Sequence, residues 1–165
     1  MVPAHDVLID AGEREVDSQN PVQRASGTVL AFDFGERRIG VAVGELGLGI
    51  AHPVETIDAA ATQPRFSRIA ALINEWRPVL LVVGLPCRMD GTGHRMTALA
   101  RKFAQRLHGR FGIETALEDE RLTSAEAELD ARESGMNPAR IKRHVDQLAA
   151  KAILDSFFRS RRVAS

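Results

Sequence analysis

Three acidic positions in this 165-residue chain have the chemistry of a hard-cation site: Asp33, the adjacent pair Asp119 and Glu120, and Asp146. Asp33 interrupts an otherwise apolar run, Thr28 to Phe34, just before the turn residues Gly35 to Arg38. Packing gives no reason for a carboxylate there, and a rigid strand is the platform on which a functional group is best held. Asp119 and Glu120 follow a second apolar run, Ile113 to Leu117, and Asp146 lies beside Val145 on the flank of a C-terminal apolar stripe. Convergent carboxylates without a Cys or His set suit Mg2+ or Mn2+, which take oxygen ligands in octahedral geometry and keep water and phosphate among them. Two such ions about 4 Å apart activate a water and stabilise the leaving oxygen during in-line attack on a phosphodiester. On spacing alone another reading stands beside this one, that each acid caps an element or sits in solvent.

Hydrophobic periodicity predicts the elements that would bring these acids together. Thr28 to Phe34 and Ile39 to Gly44 form a hairpin, and Gly49 to Ile57 is a third strand confined to a sheet edge by Pro53, which cannot donate to a ladder. Pro64 opens a helix carrying Phe66, Ile69, Ala70, Ile73 and Trp76 on one face, and Pro78 stops it at about Arg77. The aliphatic run Val79 to Val83 reads as a strand covered on both faces in a parallel sheet. A helix from about Thr92 to His108 buries Met96, Leu99, Ala100, Phe103 and Leu107, with Gly109 and Gly112 as stops. After the strand Ile113 to Leu117, Thr123 and Glu126 make a capping box for a helix to about Ser134. Asn137-Pro138 starts the final helix, striped by Val145, Leu148, Ala149, Ala152, Ile153 and Phe157. The sum is an α/β fold with a mixed five-stranded sheet and helices on both faces, its later strands parallel to the first because their crossovers contain helices. Chemistry in such sheets sits beyond the carboxyl ends of the parallel strands, where Asp33 and the Asp119-Glu120 pair fall.

With 22 basic and 22 acidic residues the chain has no global field to draw it to nucleic acid, so any such contact must come from local clusters. Arg37 and Arg38, Arg88, and the group Arg140, Lys142 and Arg143 are the candidates, positioning a phosphate backbone without reading its sequence. Hydrophobic residues at 44% and charged residues at 27% suit one globular domain, and no apolar run approaches the roughly 20 residues of a membrane span. A lone cysteine, Cys87, and an N-terminus without a signal-peptide pattern predict a cytoplasmic setting; oxidation of Cys87 offers a route to a homodimer. Residues 1–26 read as an extension without regular structure, 27–158 as the domain and 159–165 as a basic tail. Asp33-Phe34-Gly35 spells a kinase metal triplet without the loops that accompany it, and Gly35 to Gly40 lacks the Lys-Ser/Thr that completes a P-loop.

Four stretches, FDFGERRIGVAVG (Phe32 to Gly44), VVGLPCRMDGT (Val82 to Thr92), EDERLTSAEA (Glu118 to Ala127) and VDQLAAKAIL (Val145 to Leu154), resemble the ordered motifs of the YqgF/RuvX family. The resemblance implies an RNase H-like fold related to Holliday-junction resolvases, with sheet order 3-2-1-4-5 and strand 2 antiparallel. It implies a metal-dependent endonuclease acting on structured nucleic acid, through end processing of pre-16S ribosomal RNA, cleavage of branched DNA, or both. The alternative is a non-catalytic nucleic-acid-binding factor in ribosome assembly. Asp33, an acid of the Asp119-Glu120-Arg121 triplet and Asp146 are implied as metal-binding catalytic residues. Strand neighbours face opposite ways, so one of the pair is expected to serve. Glu120 is favoured because its longer side chain helps to span two strand spacings of about 4.8 Å from Asp33. Asp119 is then left to orient Arg121 or cap the turn. Cys87-Arg88 replaces a Leu-Asn pair usual in the family, placing a cation near the expected phosphate path.

Overall fold

In the computed structural model, which describes residues 5–8, 26–58, 61–86, 94–120, 132, 135 and 137–164, the apolar runs pair into one mixed sheet. The strands are β1 (His5–Leu8), β2 (Thr28–Phe34), β3 (Arg38–Glu45), β4 (Ile50–Asp58), β5 (Leu80–Pro86) and β6 (Thr115–Glu120). Three helices accompany them among the described residues: α1 (Thr62–Trp76), α2 (Arg95–Phe111) and α3 (Pro138–Ala164). The sheet order is β1-β6-β5-β2-β3-β4, with β2 antiparallel to β3 and parallel to β5, and β5 parallel to β6. Its five strands from β2 onward follow the expected 3-2-1-4-5 order. The sixth, β1, pairs antiparallel with β6, Asp6 opposite Leu117, in a segment where the sequence reading places no strand. Four residues are too few to display a period, and β6 otherwise ends the sheet with unpaired backbone. The expected helix over 123–134 and the Cys87-Arg88 pair lie outside the described residues.

Proline and glycine set several boundaries. Pro53 sits on the edge strand β4 beside a bulge, where the partner of β3 steps from Glu55 at Val41 to Pro53 at Ala42. Helix α1 ends in Arg77, at φ 47°, immediately before Pro78, because the residue before proline is pushed out of the helical region. Helix α2 is capped by His94, whose Nδ1 accepts from the Met96 N–H while Thr97 Oγ1 accepts from the His94 N–H. Gly109 does not stop it; the helix continues to Phe111 and Gly112, at φ 65°, ends it.

The two faces of the sheet are built differently. Leu30, Phe32, Leu81, Val83 and Leu117 pack against Phe66, Ile69 and Leu72 of α1 and Phe103 and Leu107 of α2. On the other face the strands present mostly small residues, Ala31, Ala42, Ala51 and Ala116, to Ala150, Ile153, Leu154, Phe157 and Phe158 of α3. Glycines complete that face. A Cβ on Gly40 would lie 1.8 Å from the Asp146 carbonyl oxygen, and one on Gly84 would lie 2.3 Å from Ile153 Cδ1. The last helix therefore rests almost backbone to backbone on β3.

The buried stripe of α3 is rotated from the expected one: Ala150 and Leu154 are fully buried, whereas Ala152 is exposed. Alanines lie on every side of this helix, so their spacing does not fix its face. The rotation puts Asp146, four residues before Ala150, on the sheet side rather than on the flank.

Overpacking at a backbone contact is destabilising, typically by about 1–3 kcal/mol. Gly40→Ala is expected to fall at or above the upper end of that range in urea denaturation, because the obstacle is main chain. Gly109→Ala, inside α2 with open space around it, is expected to stabilise by about 0.5–1 kcal/mol.

Candidate active site

Side-chain alternation along β6 decides which acid faces α3. Ala116 packs in the α3 layer and Leu117 in the opposite one, so Glu118 and Glu120 point toward α3 and Asp119 away. Asp33 shares that face, following Val29 and Ala31 in the same alternation. One strand, β5, separates β2 from β6, and the gap is bridged over Gly84, where a Cβ would meet Glu120 Oε2 at 2.9 Å. Glu120 thereby reaches Asp33 and hydrogen-bonds to it through the side chains.

Two carboxyls in contact under a helix cannot both be charged at ordinary pH. Burial is the main cause in each case. It pushes Glu120 up to about 9, with the Asp33 charge and hydrogen bond acting in the same direction. Asp33 is pushed up to about 7 by burial and then by the Asp146 charge, opposed by the hydrogen bond from Glu120. Glu120 therefore holds the proton and donates it to Asp33, and the pair titrates as a unit. A third carboxyl, Glu118, is only 2% exposed and is also pushed up to about 7, first by burial and then by the Asp119 charge, while Ser160, Arg159 and Ser156 of α3 favour its ionised form.

Asp146 completes the acidic surroundings but is otherwise engaged. Arg38 Nε donates to Asp146 Oδ2 at 2.7 Å, linking the start of β3 to α3. Among the described residues no three His, Cys, Asp or Glu side chains converge closely enough to enclose an ion. Asp33, Glu120 and Asp146 nonetheless offer only oxygen donors, the chemistry that suits a hard divalent cation.

The expected phosphate-contacting residues are dispersed. Arg37 is exposed in the β2–β3 turn, and Arg140 and Lys142 are exposed in the first turns of α3, whose start is capped by Asn137 Oδ1 accepting from the Arg140 N–H. Arg143 forms an ion pair with Asp58 and donates to the Thr56 carbonyl, while Thr56 Oγ1 donates to the Arg143 carbonyl; it fastens α3 to the edge strand. Arg88 lies outside the described residues. Sequence reasoning did not single out Glu118, Gly40 or Gly84. The spacing of Glu118 two residues before Glu120 was the available signal, whereas the glycines' role requires the position of α3.

This mixed sheet, with a carboxyl pair bridging the C-terminal ends of β2 and β6 beneath a closely packed helix, belongs to the RNase H-like class of α/β folds. The RuvX family model, described as Holliday junction resolvase, matches residues 27–160, and the chain belongs to that family. Relatives named "Putative pre-16S rRNA nuclease" include one from Nitrosomonas eutropha, 56% identical over 140 residues, covering 85% of this chain and 89% of the relative. Another, from Chromobacterium violaceum, is 55% identical over 130 residues, covering 78% and 95%. Among solved structures, Thermus thermophilus RuvC in complex with a Holliday junction substrate shares the fold, with a TM-score of 0.50 at 16% identity over 83% of this chain and 96% of that one. No helix among the described residues is long and apolar enough to cross a membrane.

Each raised carboxyl keeps its proton in the folded chain at pH values where the unfolded chain, near 3.8 to 4.5, has lost it. Folding therefore takes up protons, and stability falls as pH rises from about 4 through 7 for Asp33 and on toward 9 for Glu120. Metal-free wild type is expected to melt lower at about pH 9 than at pH 5.5. Asp33→Asn is expected to flatten that dependence and to exceed wild type by on the order of 1 kcal/mol at high pH, checked by thermal melts in EDTA.

Proposed function

We propose that this chain is a divalent-metal-dependent endonuclease that hydrolyses phosphodiester bonds in structured nucleic acid, with the ends of precursor 16S ribosomal RNA as its substrate. The observation that carries this reading is the Asp33–Glu120 pair, two half-buried carboxyls held together at the C-terminal ends of β2 and β6, at a poorly hydrated site that would favour apolar side chains. The names borne by the relatives support this reaction class and substrate, and the family description, a Holliday junction resolvase, supports the reaction class. Mg2+ or Mn2+ bound there would supply the charge that acidifies a water and neutralises the developing phosphorane oxygens.

The chain's own residues have separable tasks in this reading. Asp33 and Glu120 hold the cation on strands that cannot shift without breaking the sheet ladder. Asp146, delivered by α3 and paired with Arg38, would be the third ligand, and Arg38 would be the cation beside it available to the scissile phosphate. Arg37 in the hairpin turn and Arg140 and Lys142 at the start of α3 are exposed and would hold the backbone without reading bases. Glu118 lies behind Glu120 on the same strand and keeps the α3 end of the site polar. Ligand carboxyls must be ionised, so affinity for a cation would rise with pH as Asp33 and Glu120 lose their shared proton.

Cleavage of precursor 16S ends and of four-way DNA junctions, measured with Mg2+ or Mn2+, tests the assignment. Asp33→Asn and Glu120→Gln are each expected to lower the rate by more than the 10–100-fold typical of a residue behind the ligands, whereas Asp119→Asn stays within a few-fold of wild type. Cleavage that survives Asp33→Asn, or persists in EDTA, would sink the metal-nuclease reading and leave a non-catalytic nucleic-acid-binding factor. Preference for junctions over RNA ends would move the substrate to branched DNA.

A further inference from the structure

On the sheet face opposite the acids, a cleft of about 230 Å3 is lined by Phe34 and Phe103 and by Arg65, Lys102 and Arg106. Three cations in so small a space are unfavourable unless something balances them. Arg65 is only 7% exposed, yet its Nε has no hydrogen-bond partner, and it makes no ion pair among the described residues. Its surroundings are aromatic instead, with the guanidinium 5.5 Å from the Phe34 ring centre, 5.7 Å from Phe66 and 6.0 Å from Phe103. These cation–π contacts offset part of the desolvation and leave the Nε hydrogen unused. Burial, and then the Arg106 charge, weaken the hold of Arg65 on its proton, as expected for a cation without a counter-ion. Glu36, the one acid on the rim among the described residues, is already clamped by Arg95, Nη1 to Oε1 at 2.5 Å and Nη2 to Oε2 at 3.0 Å.

The complement of this cleft can be described chemically. A phosphate satisfies several converging cations at once, and Arg is suited to binding it through more than one hydrogen bond. Phe34, stacked on Phe103 at 4.8 Å between ring centres and 27° between planes, is only partly covered and lines the cleft with apolar aromatic surface for a base to pack against. The volume, below the roughly 300 Å3 at which drug-sized pockets begin, admits one such unit rather than an oligomer. We propose that this cleft binds a nucleoside phosphate, the phosphate on Arg65, Lys102 and Arg106 and the base against Phe34. Because Phe34 follows Asp33 on β2, the cleft opens at the same end of the sheet as the acids. The nucleotide can thus be one unit of a single strand passing over that end, a source that rests on the nuclease reading, or a free mononucleotide, which does not.

The test uses the full chain in EDTA, which silences the acidic site. Calorimetry with AMP and with adenosine is set beside anisotropy titrations of a labelled single-stranded oligonucleotide across a salt series. The variant is Lys102→Glu/Arg106→Glu, both positions being exposed, and Arg77→Glu/Arg159→Glu makes the same charge change at other exposed positions. The expected result is saturable binding of AMP but not of adenosine, weakened at least tenfold in the first variant and less than twofold in the second. If the strand supplies the phosphate, the slope of log affinity against log salt for the oligonucleotide also becomes shallower by about 0.7 for each phosphate no longer neutralised, in the first variant only. Loss of AMP binding with an unchanged oligonucleotide slope assigns the cleft to a free mononucleotide. Variants that match wild type in both measurements, or that match each other, overturn the proposal. Wild type that binds AMP through Lys102 and Arg106 yet cleaves no nucleic acid would remove the nuclease reading and leave this site standing.

Discussion

Contact between the backbone of α3 and the backbone of β3 at Gly40 sets the position of the other groups at the site. No side chain fits between the Gly40 Cα and the Asp146 carbonyl, so the helix lies as close to the sheet as main-chain atoms allow. Alanines on β2, β3, β4 and β6 thin that layer around the larger Val29, Leu80 and Val82, and the helix contributes Ile153, Leu154, Phe157 and Phe158. A larger residue on the strands would lift α3, carrying Asp146 away from Asp33 and letting water into the lane through which Glu120 reaches across. The opposite layer, filled by leucines and phenylalanines against α1 and α2, carries no comparable restriction.

The same closeness explains the electrostatics. Asp33 and Glu120 are poorly hydrated because the helix covers them, and each raises the other's affinity for a proton. Such a pair weakens the metal-free fold at high pH, and a fold selected for stability alone would replace it with apolar residues. Arg38 gives partial relief by neutralising Asp146, the acid whose charge also acts on Asp33. Proton, arginine and, in the proposed function, a divalent cation are alternative sources of the same positive charge. In the proposed function, ionisation of the pair and release of Asp146 from Arg38 would open the site to a cation.

Much of this arrangement was legible in the residues themselves. The run of β-branched and aliphatic residues from Val79 announced the central strand β5, Pro53 marked the edge, and the aspartate closing an apolar run lies at the end of β2 as expected. Strand alternation allowed only one of Asp119 and Glu120 to face the site, and side-chain length favoured Glu120; in the structure Glu120 lies on the same side of the sheet as Asp33. Information that depends on the third dimension was not legible. The stripe on α3 was right at Ala149, Ile153 and Phe157 but missed Ala150 and Leu154 and included the exposed Ala152, because alanine spacing is degenerate. The pairing of β1 arises from an open sheet edge rather than from a pattern in His5–Leu8. Arg143, read as a phosphate contact, grips Asp58 and Thr56, and nothing in the sequence separates it from its neighbours Arg140 and Lys142. The cationic cleft escaped notice because Arg65 comes from α1 and Lys102 and Arg106 from α2, joined only by the sheet beneath them.

The central claim is that Asp33, Glu120 and Asp146 constitute one cation site, blocked at rest by a shared proton and by Arg38. A crystal structure grown with Mn2+ above pH 8, with the ion located by its anomalous scattering, tests it most directly. The expected result is Mn2+ coordinated by Asp33 and Glu120, with Asp146 released from Arg38 and joining the coordination. Mn2+ bound elsewhere, or the Asp33–Glu120 hydrogen bond and the Arg38–Asp146 pair intact under saturating Mn2+, would contradict it.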